Sequence, residues 1–208
     1  MKIIGELAVI SPISITSLRL PGTLASITVL TICAAAYSTH SYAQNPTAEG
    51  VLPLTQVDSD TANIELDGAL DEAVWNTLPA YDGMRVINPD TLAPASMRTE
   101  TRIFYNDRGI YVGAMNYQDP DTLVARMSSR DEGVQRDGYV ISIDTSGQGL
   151  YGYFLRINLG GTFSDGTILP EKQISRDWDG PWNAVTQELE NGWSTEIFIP
   201  WGMMQLPQ

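Results

Sequence analysis

"RDWDGPWNAV", Arg176 to Val185, sets two tryptophans, two aspartates, a glycine and a proline within ten residues. Three chemistries fit that density. An indole face can stack on the apolar C–H side of a sugar ring while planar polar groups bond its hydroxyls. Carboxylates can hold a hard cation. The rings can also plug a core beside a turn, with aspartates holding the turn amides. For a sugar, Trp178 is the stacking ring, and Arg176, Asp177 and Asp179 are its polar partners. In the structural alternative, Trp178 caps a hydrophobic layer. Trp182 and Trp193 have apolar neighbours at strand positions and read as core.

Calcium takes six to eight oxygen ligands from carboxylates and carbonyls. The segments "DPD" (119–121) and "RDE" (130–132), with Asp137 and Asp144, put carboxylates into neighbouring loops. The candidate ligands are Asp119, Asp121, Asp131, Asp137 and Asp144, without the regular spacing of an EF-hand loop. Arg130 and Arg136 could equally pair with these acids. Calcium is thus possible, and no cofactor is required. Glycosidases use two carboxylates roughly 5 to 9.5 Å apart, which some pair in so acidic a chain meets by chance. The sequence selects no such pair, so no catalytic residue is assigned.

The first 43 of the 208 residues read as an address. Lys2 and Arg19 are the only lysine or arginine residues before residue 85, an apolar small-residue stretch follows, and Ser41 and Ala43 suit signal peptidase. Cleavage after Ala43 predicts an exported protein in the periplasm, at the outer membrane or outside the cell. The only cysteine, Cys33, and the only histidine, His40, leave with that segment. Ser-His-Asp and Cys-His nucleophilic sites, zinc sites and disulfides are thereby excluded from the mature chain. Without Lys2, Arg19 and Glu6, the chain's 12 basic and 25 acidic residues become 10 and 24, a net charge of −14. Such a surface repels phosphate backbones, which argues against a nucleic-acid partner.

The elements that must position these residues are mostly strands. Residues 44–60 are polar and aperiodic, a linker or disordered start before a domain over 61–208. "RTETRIFY" (98–105) alternates, with Thr99, Thr101, Ile103 and Tyr105 on one face. Further strands are expected at 110–117, 138–144, 151–159, 182–189 and 193–199. Asn191-Gly192 signals a type I′ hairpin turn between the last two. Short helices are expected in "LDEAVWNTL", with Asp71 near the cap and Trp75 as the anchor, and around 120–127. This pattern predicts an all-β, antiparallel, jelly-roll-like β-sandwich with one or two short helices.

Six fragments in order across residues 64–201 resemble family 9 carbohydrate-binding modules. They are "IELDGALDEAVWNTLP", "TETRIFYNDRGIYVGAMNYQDPD", "SSRDEGVQRDGYVISIDT", "GYFLRINLGGTFSDG", "DWDGPWNAV" and "NGWSTEIFIPW". The subgroup they most resemble precedes a C-terminal domain of unknown function, thought to be an outer-membrane β-barrel, in exported bacterial proteins. The resemblance implies a noncatalytic module that binds polysaccharide or oligosaccharide, with calcium often in a structural role. It also implies that further strands and the barrel domain follow in relatives, and that docking onto that barrel is an alternative role. Sugar-binding members clamp the sugar between two aromatic rings, one of them three residues ahead of the aspartate matching Asp137. That position here is Val134.

Overall fold

Alternating β-branched and aromatic residues favour strands, because such side chains pack well on a pleated surface. In the computed structural model, which describes residues 54–205, they form two facing sheets. The five-stranded sheet runs β1 (Thr55–Gln56), β2 (Thr99–Tyr105), β3 (Gly109–Tyr117), β9 (Gly192–Pro200) and β8 (Asn183–Leu189). The four-stranded sheet runs β4 (Gly138–Ile143), β5 (Gly152–Asn158), β6 (Phe163–Leu169) and β7 (Gln173–Ser175). All pairings are antiparallel except the short parallel contact of β1 with β2. The described residues form an all-β sandwich with two short helices, α1 (Ser59–Ala62) and α2 (Ala73–Thr77).

Two apolar layers hold it together. Between the sheets lie Ile103, Val112, Tyr139, Ile141, Leu155, Ile157, Trp182, Trp193 and Ile197. The other face of the five-stranded sheet is also apolar, because Phe104 and Tyr111 pack there beneath Trp75 and Val74 of α2. Phe104 stacks on Tyr111 at 4.7 Å and meets Trp75 edge-on at 5.3 Å. The glycine inside β3 makes room for this layer. A Cβ on Gly113 would lie 2.7 Å from the Leu70 side chain and 3.1 Å from the Trp75 ring.

The expected strands and the Trp75 anchor are present, and the structure corrects several details. The 120–127 segment is not a helix. Only Pro120–Thr122 makes a turn of 3₁₀ type, and Leu123 is already extended. Its backbone bonds sideways instead, with Val124 N–H donating to the Asp137 carboxylate at 2.8 Å and Asp137 N–H to Val124 O at 3.1 Å. Asp71 lies near the cap of α2 as expected, the cap itself being the next residue, Glu72, whose side chain makes no cap bond. The β8–β9 hairpin turns on Glu190 and Asn191, with Leu189 paired to Gly192. Asn191 is not at positive φ there; only Gly192, at φ 144°, is. That glycine is needed for space, since a Cβ would stand 2.0 Å from Asn116 O of β3. β1, β6 and β7 were not expected; β1 lies inside the 44–60 segment read as a linker, and α1 straddles its end. The signal peptide, Cys33 and His40 lie outside the described residues.

Candidate functional site

Three separate segments bring charge together at one edge of the sandwich. The loop before β4 supplies Arg130 and Asp131, β6 supplies Asp165, and the loop after β7 supplies Arg176 to Asp179. Asp131, Asp165 and Asp179 each offer an oxygen within 4.8 Å of the others. Arg130 lies among them. One guanidinium nitrogen donates to Asp165 Oδ1 at 2.5 Å, and Nε meets Asp179 Oδ1 at 2.8 Å and Asp131 Oδ2 at 3.8 Å. Asp165 is fully buried, and a buried carboxylate demands complete pairing. Gly180 N–H donates to its Oδ2 at 2.7 Å and the Trp182 indole N–H at 3.1 Å. One aspartate thereby ties the "WDGPW" turn to the middle of β6.

Beside this cluster, Trp178 is half-buried and packs against the core between the sheets. Its ring lies 4.9 Å from that of Tyr153, tilted by 50°, and Tyr151 meets Tyr153 edge-on at 5.7 Å. Gly180 lets the indole fold back, because a Cβ there would come within 2.5 Å of Trp178 and 2.9 Å of Met203 Sδ. Arg176, Asp177 and Asp179 are exposed around the ring. Arg176 donates to Asp131 O at 3.2 Å, and Asp177 accepts from Ser175 Oγ at 3.1 Å. The result is a braced aromatic surface edged by both signs of charge.

A shallow cleft of about 60 Å³ opens elsewhere, where the 84–97 loop meets the ends of β3 and β4, lined among others by Arg85, Asn116, Tyr117 and Asp137. It is well short of the roughly 300 Å³ at which ligand pockets begin. A second buried acid, Glu196 of β9, lies under the 67–68 loop and α2. Its Oε2 accepts from Asp67 and Gly68 N–H at 3.0 Å each, and its Oε1 from the Trp75 indole at 3.0 Å. Burial pushes its carboxyl up to about 7 against those donors, with the nearby Glu72 carboxylate adding to the rise.

No protein-family model matches the sequence, and neither does any curated protein. Solved structures do resemble it. One from Bacteroides uniformis, described as a candidate carbohydrate-binding protein, is 13% identical, with 72% of each chain covered and a TM-score of 0.51. A family 9 carbohydrate-binding module from Caldicellulosiruptor kristjanssonii in complex with cellotriose is 15% identical, covering 75% of this chain and 70% of that one, with a TM-score of 0.45. A family 9 module from the same organism in complex with glucose is also 15% identical, covering 74% and 72%, with a TM-score of 0.43. At these identities the likeness is one of fold.

The structure gathers Arg176, Asp177, Trp178 and Asp179 into one loop surface, with Asp131 beside it. The other candidate calcium ligands lie apart from that cluster. Asp119 accepts from Asp121 N–H at 3.1 Å at the start of the 3₁₀ turn, and Asp137 secures the 118–124 segment. Asp144 gathers the amides of Ser146, Gly147 and Gly149 and the Ser146 hydroxyl within 2.9 Å. Slight burial would raise its carboxyl, but the Gly149 amide, with Ser146 and Gly147, outweighs that and lowers it. Arg136 donates to Arg126 O, Ser128 Oγ and Glu132 O, holding a loop. Asp165 and Glu196 were not singled out from the sequence. The one signal for Asp165 was its position in "TFSDG", an acid where strand alternation demands an inward residue.

Proposed function

We propose that this protein is a noncatalytic carbohydrate-binding module of an exported bacterial protein, holding polysaccharide for breakdown by a partner domain or enzyme. The half-buried Trp178 ring carries the reading. It is braced by Tyr153 and edged by exposed Arg176, Asp177 and Asp179. An indole held still costs little ordering entropy on stacking, and planar polar groups around it suit sugar hydroxyls. The carboxyl that is pushed up into the range of a general acid, Glu196, is sealed beneath α2 and bonded to three N–H donors, out of substrate reach.

Affinity electrophoresis in gels containing xylan or soluble cellulose derivatives, with calorimetry on cello-oligosaccharides, tests this. The expected result is retardation of the wild type, lost in Trp178→Ala with cooperative unfolding retained. No retardation in any glycan would sink the reading.

A second role rests on Val134, which is 38% exposed where the resemblance calls for an aromatic ring. Leu150, Tyr151, Leu169 and Ile174 are also exposed near one end of the four-stranded sheet. These surfaces suit a structural module that docks on a partner such as an outer-membrane β-barrel. Glycan indifference together with strong destabilisation by Trp178→Ala would favour this role.

A further inference from the structure

The family resemblance implies structural calcium, and among the described residues Asp131, Asp165 and Asp179 form the carboxylate cluster closest in design to a cation site. The donor set does not fit a metal well. Calcium needs free oxygen lone pairs from six to eight ligands. Asp165 has both oxygens committed: Oδ1 to Arg130, and Oδ2 to Gly180 N–H and the Trp182 indole. Asp179 Oδ1 faces Arg130 Nε, and Asp131 Oδ1 accepts from Asp165 N–H at 3.2 Å.

We infer that Arg130 is a tethered cation that does at this junction what a structural divalent ion does elsewhere, so the junction holds without calcium. The guanidinium links three segments, as a bound ion would. Its fork reaches β6 through Asp165 and the Trp178 loop through Asp179, while its own neighbour Asp131 anchors the loop before β4. It is planar, permanently charged and matched to carboxylate geometry. The arrangement is also braced from outside the triad. The guanidinium lies 5.9 Å from the Phe163 ring centroid, and Arg176 bonds the Asp131 carbonyl. A cation carried on the chain cannot be stripped by a chelator or diluted away. The inference is independent of saccharide binding.

The test uses the full chain, followed by thermal unfolding and by terbium(III) luminescence, which Trp182 beside Asp165 would sensitise. Wild-type unfolding is expected to be the same in EDTA and in millimolar calcium, with no terbium emission that Asp165→Asn abolishes. Arg130→Met removes the built-in charge and leaves the carboxylates facing one another. This variant is expected to melt several degrees lower in EDTA, to recover saturably with calcium, and to show sensitised terbium emission that calcium displaces. Arg98→Met, whose acidic partners Asp82 and Glu100 lie outside the triad, should gain no calcium response. If Arg130→Met does not fold in EDTA, return of its native tryptophan emission on adding calcium supports the inference, and failure to return overturns it. A saturable calcium-induced rise in wild-type melting temperature would overturn it, as would a folded Arg130→Met protein indifferent to calcium.

Discussion

Trp75 donates its indole N–H to Glu196 across 121 residues of chain, at 3.0 Å, inside the layer between α2 and the five-stranded sheet. The same carboxyl takes the amides of Asp67 and Gly68. One side chain therefore fixes both the helix and the loop that leads into it. Its folded value of about 7 exceeds the ordinary 4.5. The folded state keeps this proton to higher pH than the unfolded chain does. The resulting stabilisation is complete below pH 4.5 and is lost as pH rises through 7. Urea midpoints should fall between pH 5 and 8, and Glu196→Gln should flatten that limb. An unchanged slope in the variant would assign the effect to other groups.

Asp144 acts with the opposite sign. Its carboxyl is held below the ordinary carboxylate value, so its contribution is present at neutral pH and is lost on acidification through the lowered folded value. Asp144→Ala should loosen the 144–149 loop at neutral pH and make melting temperature less sensitive to acid. Amide exchange at Ser146, Gly147 and Gly149 should rise first, because those N–H groups lose their acceptor.

Period-two patterning made most of the sandwich legible, because strands such as β2 and β5 alternate and put one face into the inter-sheet core: Tyr153, Leu155 and Ile157 of β5, and Ile103 of β2 beside a buried Thr101 that bonds Tyr139. The helix expected at 120–127 failed because local composition does not report sideways partners. Asp137 offers its carboxylate to the Val124 N–H and its own N–H to the Val124 carbonyl, partners that an isolated segment would lack. β7 has three residues and takes its order from β6, a contact that no local pattern encodes. At the site, the loop residues 176–179 were visible as a dense motif. Asp165 was not, since its meaning comes from Arg130, Gly180 and Trp182, at 15 to 35 positions' distance in the chain.

Gly192→Ala should be severely destabilising. The new Cβ would meet a backbone oxygen of the neighbouring central strand at 2.0 Å, and the residue would sit at φ 144°. Neither can relax without unpairing β9 from β3. A loss of several kcal/mol, about 3 or more, is expected in chemical denaturation. A loss under about 1 kcal/mol would mean that the hairpin end moves freely.

The two tryptophans of the "WDGPW" turn should separate cleanly. Trp182 is buried against Phe163, 4.7 Å between ring centroids, and its N–H is one of the donors to the fully buried Asp165. Trp182→Ala removes a large core volume and leaves Asp165 short of a partner, so a loss of about 3–5 kcal/mol is expected. Trp182→Phe keeps much of the volume but not the N–H, and the remaining cost isolates the hydrogen bond at about 1–3 kcal/mol. Trp178 is only half-buried and its indole satisfies no buried acid. Its alanine variant should lose less stability than Trp182→Ala by at least about 1 kcal/mol, measured side by side in urea. Equal losses would make Trp178 a core residue in its own right and would withdraw the physical basis for placing a sugar on it.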